Sequence, residues 1–310
     1  MNKNSKIYVA GHRGLVGSSI IQHLKQEGYS KIICRTREEL DLTRQASVEA
    51  FFEKEKPEFV FLAAAKVGGI LANSHFPADF IYQNILIEAN VINAAHVHGV
   101  KKLMFLGTSC IYPKESPQPM KEEYLLSGHL EPSNQAYAVA KIAGIEMCQS
   151  YAQQYGDKFI SVMPPNIYGP RDTFDLQTSH VIPASIRKFH EAKKDSSAEV
   201  IAWGSGTARR EFLYVDDLAE ACLFLMQTYD NPSIINIGAG TDVTIHELMT
   251  IIQRTVGYQG ALRWDTSKPE GSAQKLLDTS RIYELGWKPK TSLEEGIKLT
   301  YLWYTNNLVD

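Results

Sequence analysis

Cysteine is scarce and scattered. The 310 residues hold four of them, Cys34, Cys110, Cys148 and Cys222, with no Cys-x-x-Cys pair and no tight Cys/His cluster. That spacing excludes zinc ribbons and fingers and speaks against a disulfide-stapled extracellular domain. The chain therefore reads as a reduced, cytoplasmic protein with no metal site. Long apolar runs are also lacking. Nothing approaches the roughly 20 residues of a spanning helix, and the opening "MNKNSKIYVAG" has no extended apolar core of a secretory signal. Charge of one sign is not in excess: 32 Lys and Arg face 35 Asp and Glu, a net charge of −3. Neither nucleic acid nor a membrane surface is indicated as a partner. Repeats and low-complexity segments are missing too.

What is present is an alternation. Short apolar runs at 6–11, 31–36, 58–65, 102–107 and 159–164 read as strands, and the segments between them carry helical patterns over 14–27, 45–55, 79–98 and 134–155. Near-continuous apolar strands separated by helices predict a parallel sheet buried on both faces. With right-handed crossovers this becomes a doubly wound (Rossmann) α/β sheet. After about residue 170 the pattern loosens. A helix near Val181, strands in "AEVIAWG" and "EFLYVDD", a helix behind the aspartates, and helices near 244–256 and 292–308 suggest a smaller C-terminal α/β lobe. The expected division is 1–170 for the nucleotide, with later segments returning to it, and 171–310 mainly for substrate. The cleft between them is the natural ligand site.

"VAGHRGLVGSSI" sets Gly11, Gly14 and Gly17 directly after the first strand, where the next helix opens. Glycines there permit a tight turn, a close approach of backbone to pyrophosphate, and tight helix–strand packing. The helix N-terminus adds N–H donors and a positive dipole. The second strand ends in "CRTREELD". Arg35 and Arg37 stand where a carboxylate would suit the ribose of NAD, and Arg13 lies within the glycine loop. Such arginines suit a 2′-phosphate. NADP, as NADPH, is the expected cofactor, with Arg13 and Arg37 as its contacts.

"NQAYAVAKIAG" places Tyr137 and Lys141 four residues apart, on one helix face. An ammonium near the phenol is expected to lower its pKa from about 10. Such a tyrosine can protonate a carbonyl oxygen as hydride reaches the carbon. The preceding strand ends in "LGTSCIYPK". Strand alternation lets only one of Thr108 and Ser109 face the cofactor. A hydroxyl there can stabilise charge on the same oxygen. Read on residues alone, Cys110 is also a small buried hydrophobe, and His180 in "TSHVIP" also a helix-start histidine.

Taken together, "AGHRGLVGS", "AAAKVGGILAN", "PADFIYQN", "LGTSCIYPK", "EPSNQAYAVAKIAG", "MPPNIYGP", "SHVIPA", "WGSGTARREFLYVDD" and "KLLD" resemble the extended short-chain dehydrogenases/reductases, and within them the GDP-L-fucose synthase family. The match runs over nearly the whole chain, in family order. It implies a GDP-sugar substrate, NADPH-dependent 3,5-epimerisation and 4-reduction of GDP-4-keto-6-deoxy-mannose, and a homodimer through helices 79–98 and 134–155. It also implies roles. Cys110 and His180 form the acid/base pair at C3 and C5. Thr108 and Tyr137 hold the C4 oxygen, and Lys141 tunes Tyr137 and binds ribose. Asn166 contacts nicotinamide, and Lys188, Trp203, Arg210 and Glu270 surround the substrate nucleotide. Two positions depart from the pattern: Pro165 stands where the family often has Thr, and Glu270 where it usually has Asp. A single-function relative acting on a GDP-4-keto-6-deoxy-heptose and a non-enzymatic NADP sensor are the alternatives.

Overall fold

In a computed structural model, residues 1–176, 178–268 and 271–309 are described. The first half runs β1 (Ile7–Ala10), α1 (Leu15–Gln26), β2 (Ile32–Ile33), α2 (Gln45–Glu55), β3 (Phe59–Leu62), α3 (Ile70–His75), α4 (Pro77–Val97), β4 (Lys102–Leu106), α5 (Gln135–Tyr155), β5 (Phe159–Met163) and β6 (Asn166–Tyr168). It continues with α6 (Val181–Lys194), β7 (Glu199–Trp203), β8 (Arg209–Tyr214), α7 (Val215–Thr228), β9 (Ile235–Asn236), β10 (Asp242–Thr244), α8 (Ile245–Val256), β11 (Ala261–Asp265), β12 (Gln274–Lys275), α9 (Ser280–Glu284) and α10 (Leu293–Asn307).

The main sheet has strand order β2-β1-β3-β4-β5-β9, parallel throughout. Alternation within each strand explains its burial on both sides. Tyr8, Ala10, Val60, Leu62, Leu103 and Phe105 enter the core beneath α4 and α5. Ile7, Val9, Phe59, Phe61, Met104 and Leu106 enter the opposite core, beneath α1 and α7. A strand with no solvent face is apolar at nearly every position, which is why these runs are legible in the sequence. The strand order reverses between β1 and β3, the switch point at which such sheets bind ligands.

The second and third strands are shorter than the runs 31–36 and 58–65 predict. Beyond Ile33 the chain leaves the sheet to make local bonds: Arg35 reaches back to the Cys34 carbonyl at 2.7 Å, and the Thr36 N–H donates to Glu39 at 2.7 Å. The smaller lobe packs β6, β7, β8, β10, β11 and β12 with α6, α8 and α10 around Ile186, Phe189, Phe212 and Ile252. A Thr244/Glu247 capping box starts α8. The chain between these elements goes back to the large sheet. Helix α7 joins the α1 core through Leu218 and Cys222, and β9 pairs with β5.

Asn236 pins that return. It is fully buried, accepts from the Tyr112 hydroxyl at 2.6 Å, and donates to the carbonyls of Met120 and Asp278 at 3.0 Å each. Two distant segments, the β4–α5 connection and the chain before α9, are thus bound to one side chain. Asn236→Ala strands those groups without solvent, at roughly 1–3 kcal/mol. Urea unfolding should show the midpoint lowered with the slope retained.

Candidate active site

The turns after β1, β2, β3, β4 and β5 open into one cleft of about 940 Å³. Gly11, with φ +84°, turns the chain out of β1, and the Gly14 N–H closes the turn on the Gly11 carbonyl at 3.0 Å. A Cβ on Gly11 would sit 2.7 Å from the Ala64 nitrogen, and one on Gly17 2.7 Å from the Gly11 carbonyl carbon and closer still to its oxygen. Both positions therefore require glycine. Gly14 caps α1 without any side-chain cap, which leaves the amides of the first turn directed at the cleft. This cradle fits a dinucleotide pyrophosphate.

Arg13 and Arg37 line the same cleft and are exposed. Both lie near enough to Glu38 to help hold its carboxyl below the usual range, after its own hydrogen bonds. Arg35 lines the cleft too, but its guanidinium is already paired. It pairs with Glu55 at 2.7 Å and lies over the Phe51 ring at 5.7 Å.

Thr108, Ser109, Cys110, Tyr137, Lys141, Asn166 and His180 all line this cleft. Thr108 is extended and half-buried, and its hydroxyl accepts the Cys110 N–H at 3.3 Å, capping the short 3-10 turn Ser109–Ile111. Ser109 is 6% exposed, and its N–H is fixed to the Pro164 carbonyl at 3.0 Å. Thr108 is the more open hydroxyl. Cys110 comes from the large-sheet wall, whereas His180 comes from the smaller lobe, as the residue that opens α6. Its ring makes no cap bond. Thr178 and Ser179 bond back to Asp175 instead. Protein groups crowded around the ring push the His180 pKa below its ordinary value, although the residue keeps an exposed edge. Asn166 donates to the Glu211 carbonyl at 2.9 Å.

One expectation is overturned. Tyr137 is not lowered: burial first, then the neighbouring Cys110 and Glu88, push the phenol above its ordinary value. Lys141 does share its helix face, with Nζ 5.9 Å from the Tyr137 ring centre. Its charge is taken up on the other side, by Glu88 at 3.1 Å and the Leu106 carbonyl at 3.0 Å.

A second cavity of about 280 Å³ opens from the cleft, and the two share Gly69, Asn166, Ile167, His180 and Arg210. Lys188 and Trp203 line it. The ammonium of Lys188 lies 5.7 Å from the Trp203 ring centre, and burial lowers its pKa. Trp203 is 40% exposed, and Lys268 approaches the same indole at 5.9 Å. Cationic groups beside an open ring suit a nucleoside diphosphate. Glu270 lies outside the described residues.

Sequence reasoning missed three side chains. Lys275 lines the cleft. Asp172 does too, directly after "MPPNIYGPR"; burial pushes its carboxyl up to about 7 against the Thr173 N–H, and its Oδ2 has no hydrogen-bond partner among the described residues. Glu88, on α4, is buried behind Lys141. A polar residue four positions after Asn84 on a helix that is otherwise mostly apolar was its one signal.

A glycine cradle at the switch point, with a Tyr/Lys pair across the cleft, defines a nicotinamide-dependent enzyme of the extended short-chain dehydrogenase/reductase type. Residues 7–238 match the model of the NAD dependent epimerase/dehydratase family. Among its relatives, GDP-L-fucose synthase 1 of Arabidopsis thaliana is 55% identical over 99% of this chain and 95% of that protein. GDP-L-fucose synthase of Escherichia coli (strain K12) is 51% identical over 97% of each. A GDP-mannoheptose C4 reductase from Campylobacter jejuni with NADP bound superposes with a TM-score of 0.91, at 40% identity over 98% of this chain and 99% of that one. The chain belongs to the NAD dependent epimerase/dehydratase family, in its GDP-L-fucose synthase branch.

Gly17→Ala tests the cradle. The misfit against the Gly11 carbonyl pushes the cradle's backbone out of place and should weaken the cofactor about tenfold, ~1.4 kcal/mol. NADPH titration followed by fluorescence should show that loss.

Proposed function

We propose that this chain carries out the NADPH-dependent 3,5-epimerisation and 4-reduction of GDP-4-keto-6-deoxy-mannose to GDP-L-fucose. The carrying observation is the convergence of Thr108, Cys110, Tyr137, Lys141 and His180 on one cleft. Identities of 51–55% to GDP-L-fucose synthases, against 40% to the heptose reductase, favour the hexose.

The C4 ketone acidifies the C–H bonds at C3 and C5. Cys110 and His180 stand on different walls, so one can remove a proton from one face while the other returns a proton to the opposite face. Thr108 and Tyr137 donate to the C4 oxygen and stabilise the enolate between the two transfers. The bound dinucleotide supplies the hydride that reduces C4. Tyr137 gives its phenolic proton to the C4 oxygen, completing the alcohol. A pKa held high by burial keeps that proton in place until it is needed.

Several finer assignments belong to the same proposal. Arg13 and Arg37 recognise the 2′-phosphate of NADP, Lys141 binds the nicotinamide ribose, and Asn166 orients the nicotinamide. Lys188, Trp203, Arg210 and Glu270 hold the GDP. Residues 1–170 serve the cofactor and 171–310 mainly the substrate. Exposed Tyr82, Ile85, Val139 and Tyr155 on α4 and α5 support a homodimer through those helices, and four unpaired cysteines support the cytoplasm. Among the described residues no helix is long and apolar enough to cross a membrane.

Turnover in D2O should place deuterium at both C3 and C5 of the product. Label at neither position would reject epimerisation and leave a reductase, and faster turnover of the heptose analogue would change the sugar. Cys110→Ser should suppress that exchange while NADPH affinity is kept. Arg37→Ala should narrow the preference for NADPH over NADH by about tenfold, the worth of one charge-assisted pair, read from kcat/KM with each cofactor.

A further inference from the structure

The mechanism uses Lys141 but leaves out the carboxylate behind it. Glu88 is 1% exposed and projects from α4, while Lys141 projects from α5. The Glu88 Oε1 lies 3.1 Å from Lys141 Nζ, with both side chains almost wholly out of water. Among the described residues, neither carboxylate oxygen has a hydrogen-bond partner, and the ammonium is the counterion beside them. The ammonium is held on three sides: by Glu88, by the Leu106 carbonyl at 3.0 Å, and by the Phe105 ring at 4.6 Å. Helix α5 makes room for this. At Gly144, a turn beyond Lys141, a Cβ would stand 2.9 Å from Glu88 Oε2 and 2.5 Å from Phe105 Cζ.

A buried carboxylate with one counterion is costly to keep, so its placement calls for a reason. We propose that Glu88 is a positioning residue for the Tyr137/Lys141 pair: it fixes the ammonium and limits how much of that charge reaches the phenol. This rests on the reading of Tyr137 as the proton donor. A lone ammonium near a phenol favours the phenolate, which cannot donate. With Glu88 paired to it, the ammonium's field at Tyr137 is largely cancelled, and the phenol keeps its proton. The other titratable groups acting on the three are Cys148 of α5, which senses both Glu88 and Lys141, and Cys110 from the turn after β4.

The test is the pH dependence of kcat/KM for ketone reduction in the full-length enzyme, with NADPH and the GDP-4-keto sugar. Glu88→Gln removes the charge and keeps the shape. Its basic limb should move down by about one pH unit, a tenfold loss of kcat/KM on that limb. Glu88→Asp keeps the charge on a shorter arm and should fall between wild type and Glu88→Gln. An unmoved limb in Glu88→Gln overturns the role, whatever happens to kcat. Should that variant fail to fold, an unmoved limb in Glu88→Asp overturns it equally. Tyr137→Phe is measured alongside. Full turnover there removes the assignment of Tyr137 and this inference with it, whereas lost turnover with an unmoved Gln limb removes only the role of Glu88.

Discussion

Parallel strands buried on both faces can be joined only by crossovers that run over those faces. Every strand therefore leaves the sheet at the same edge. The glycine turn after β1, the Thr108–Cys110 turn after β4, and Pro164–Asn166 after β5 are consequently neighbours, although they span most of the first half of the chain. The rest of the site is built against this edge. The smaller lobe supplies His180, Lys188, Trp203 and Arg210 across from it, and the return of α7 and β9 binds that lobe to the large sheet.

The charges in the cleft are arranged by burial more than by pairing. Tyr137 lies beside an ammonium and still has its pKa raised, because loss of water acts on the phenol directly while Glu88 draws off the charge of Lys141. Asp172 is raised and His180 lowered for the same reason. Each group is thereby moved toward its neutral form. Neutral donors and acceptors suit a site that passes protons to and from one ketone, since each transfer starts without the cost of discharging a solvated ion.

Most of the architecture was legible. Near-continuous apolar runs announce strands without a solvent face, and the order of strands and helices followed from them. The glycine loop was legible because Gly11 and Gly17 have no room for a Cβ. Strand lengths were not: β1 continues to Ala10, but beyond Ile33 the chain turns away from it, with Arg35 bonded to the Cys34 carbonyl and Glu55 and the Thr36 N–H to Glu39. The pKa of Tyr137 was misjudged for a related reason. The spacing of Tyr137 and Lys141 within one helix is visible locally, whereas Glu88 comes from another helix about fifty residues earlier, and burial is a property of the whole packed site.

By itself, the sequence determined the doubly wound sheet, the nucleotide cradle, and the residue types at each turn, because periodicity and glycine spacing are local. Only the tertiary structure decided which of these side chains meet. It paired Arg35 with Glu55 and left Arg13 and Arg37 exposed at the cleft. It buried Ser109 and opened Thr108. It brought His180 into the same cleft as Cys110, and set Glu88 behind Lys141. Each of those outcomes depends on contacts between segments far apart in the chain, and a one-dimensional pattern carries no record of such distances.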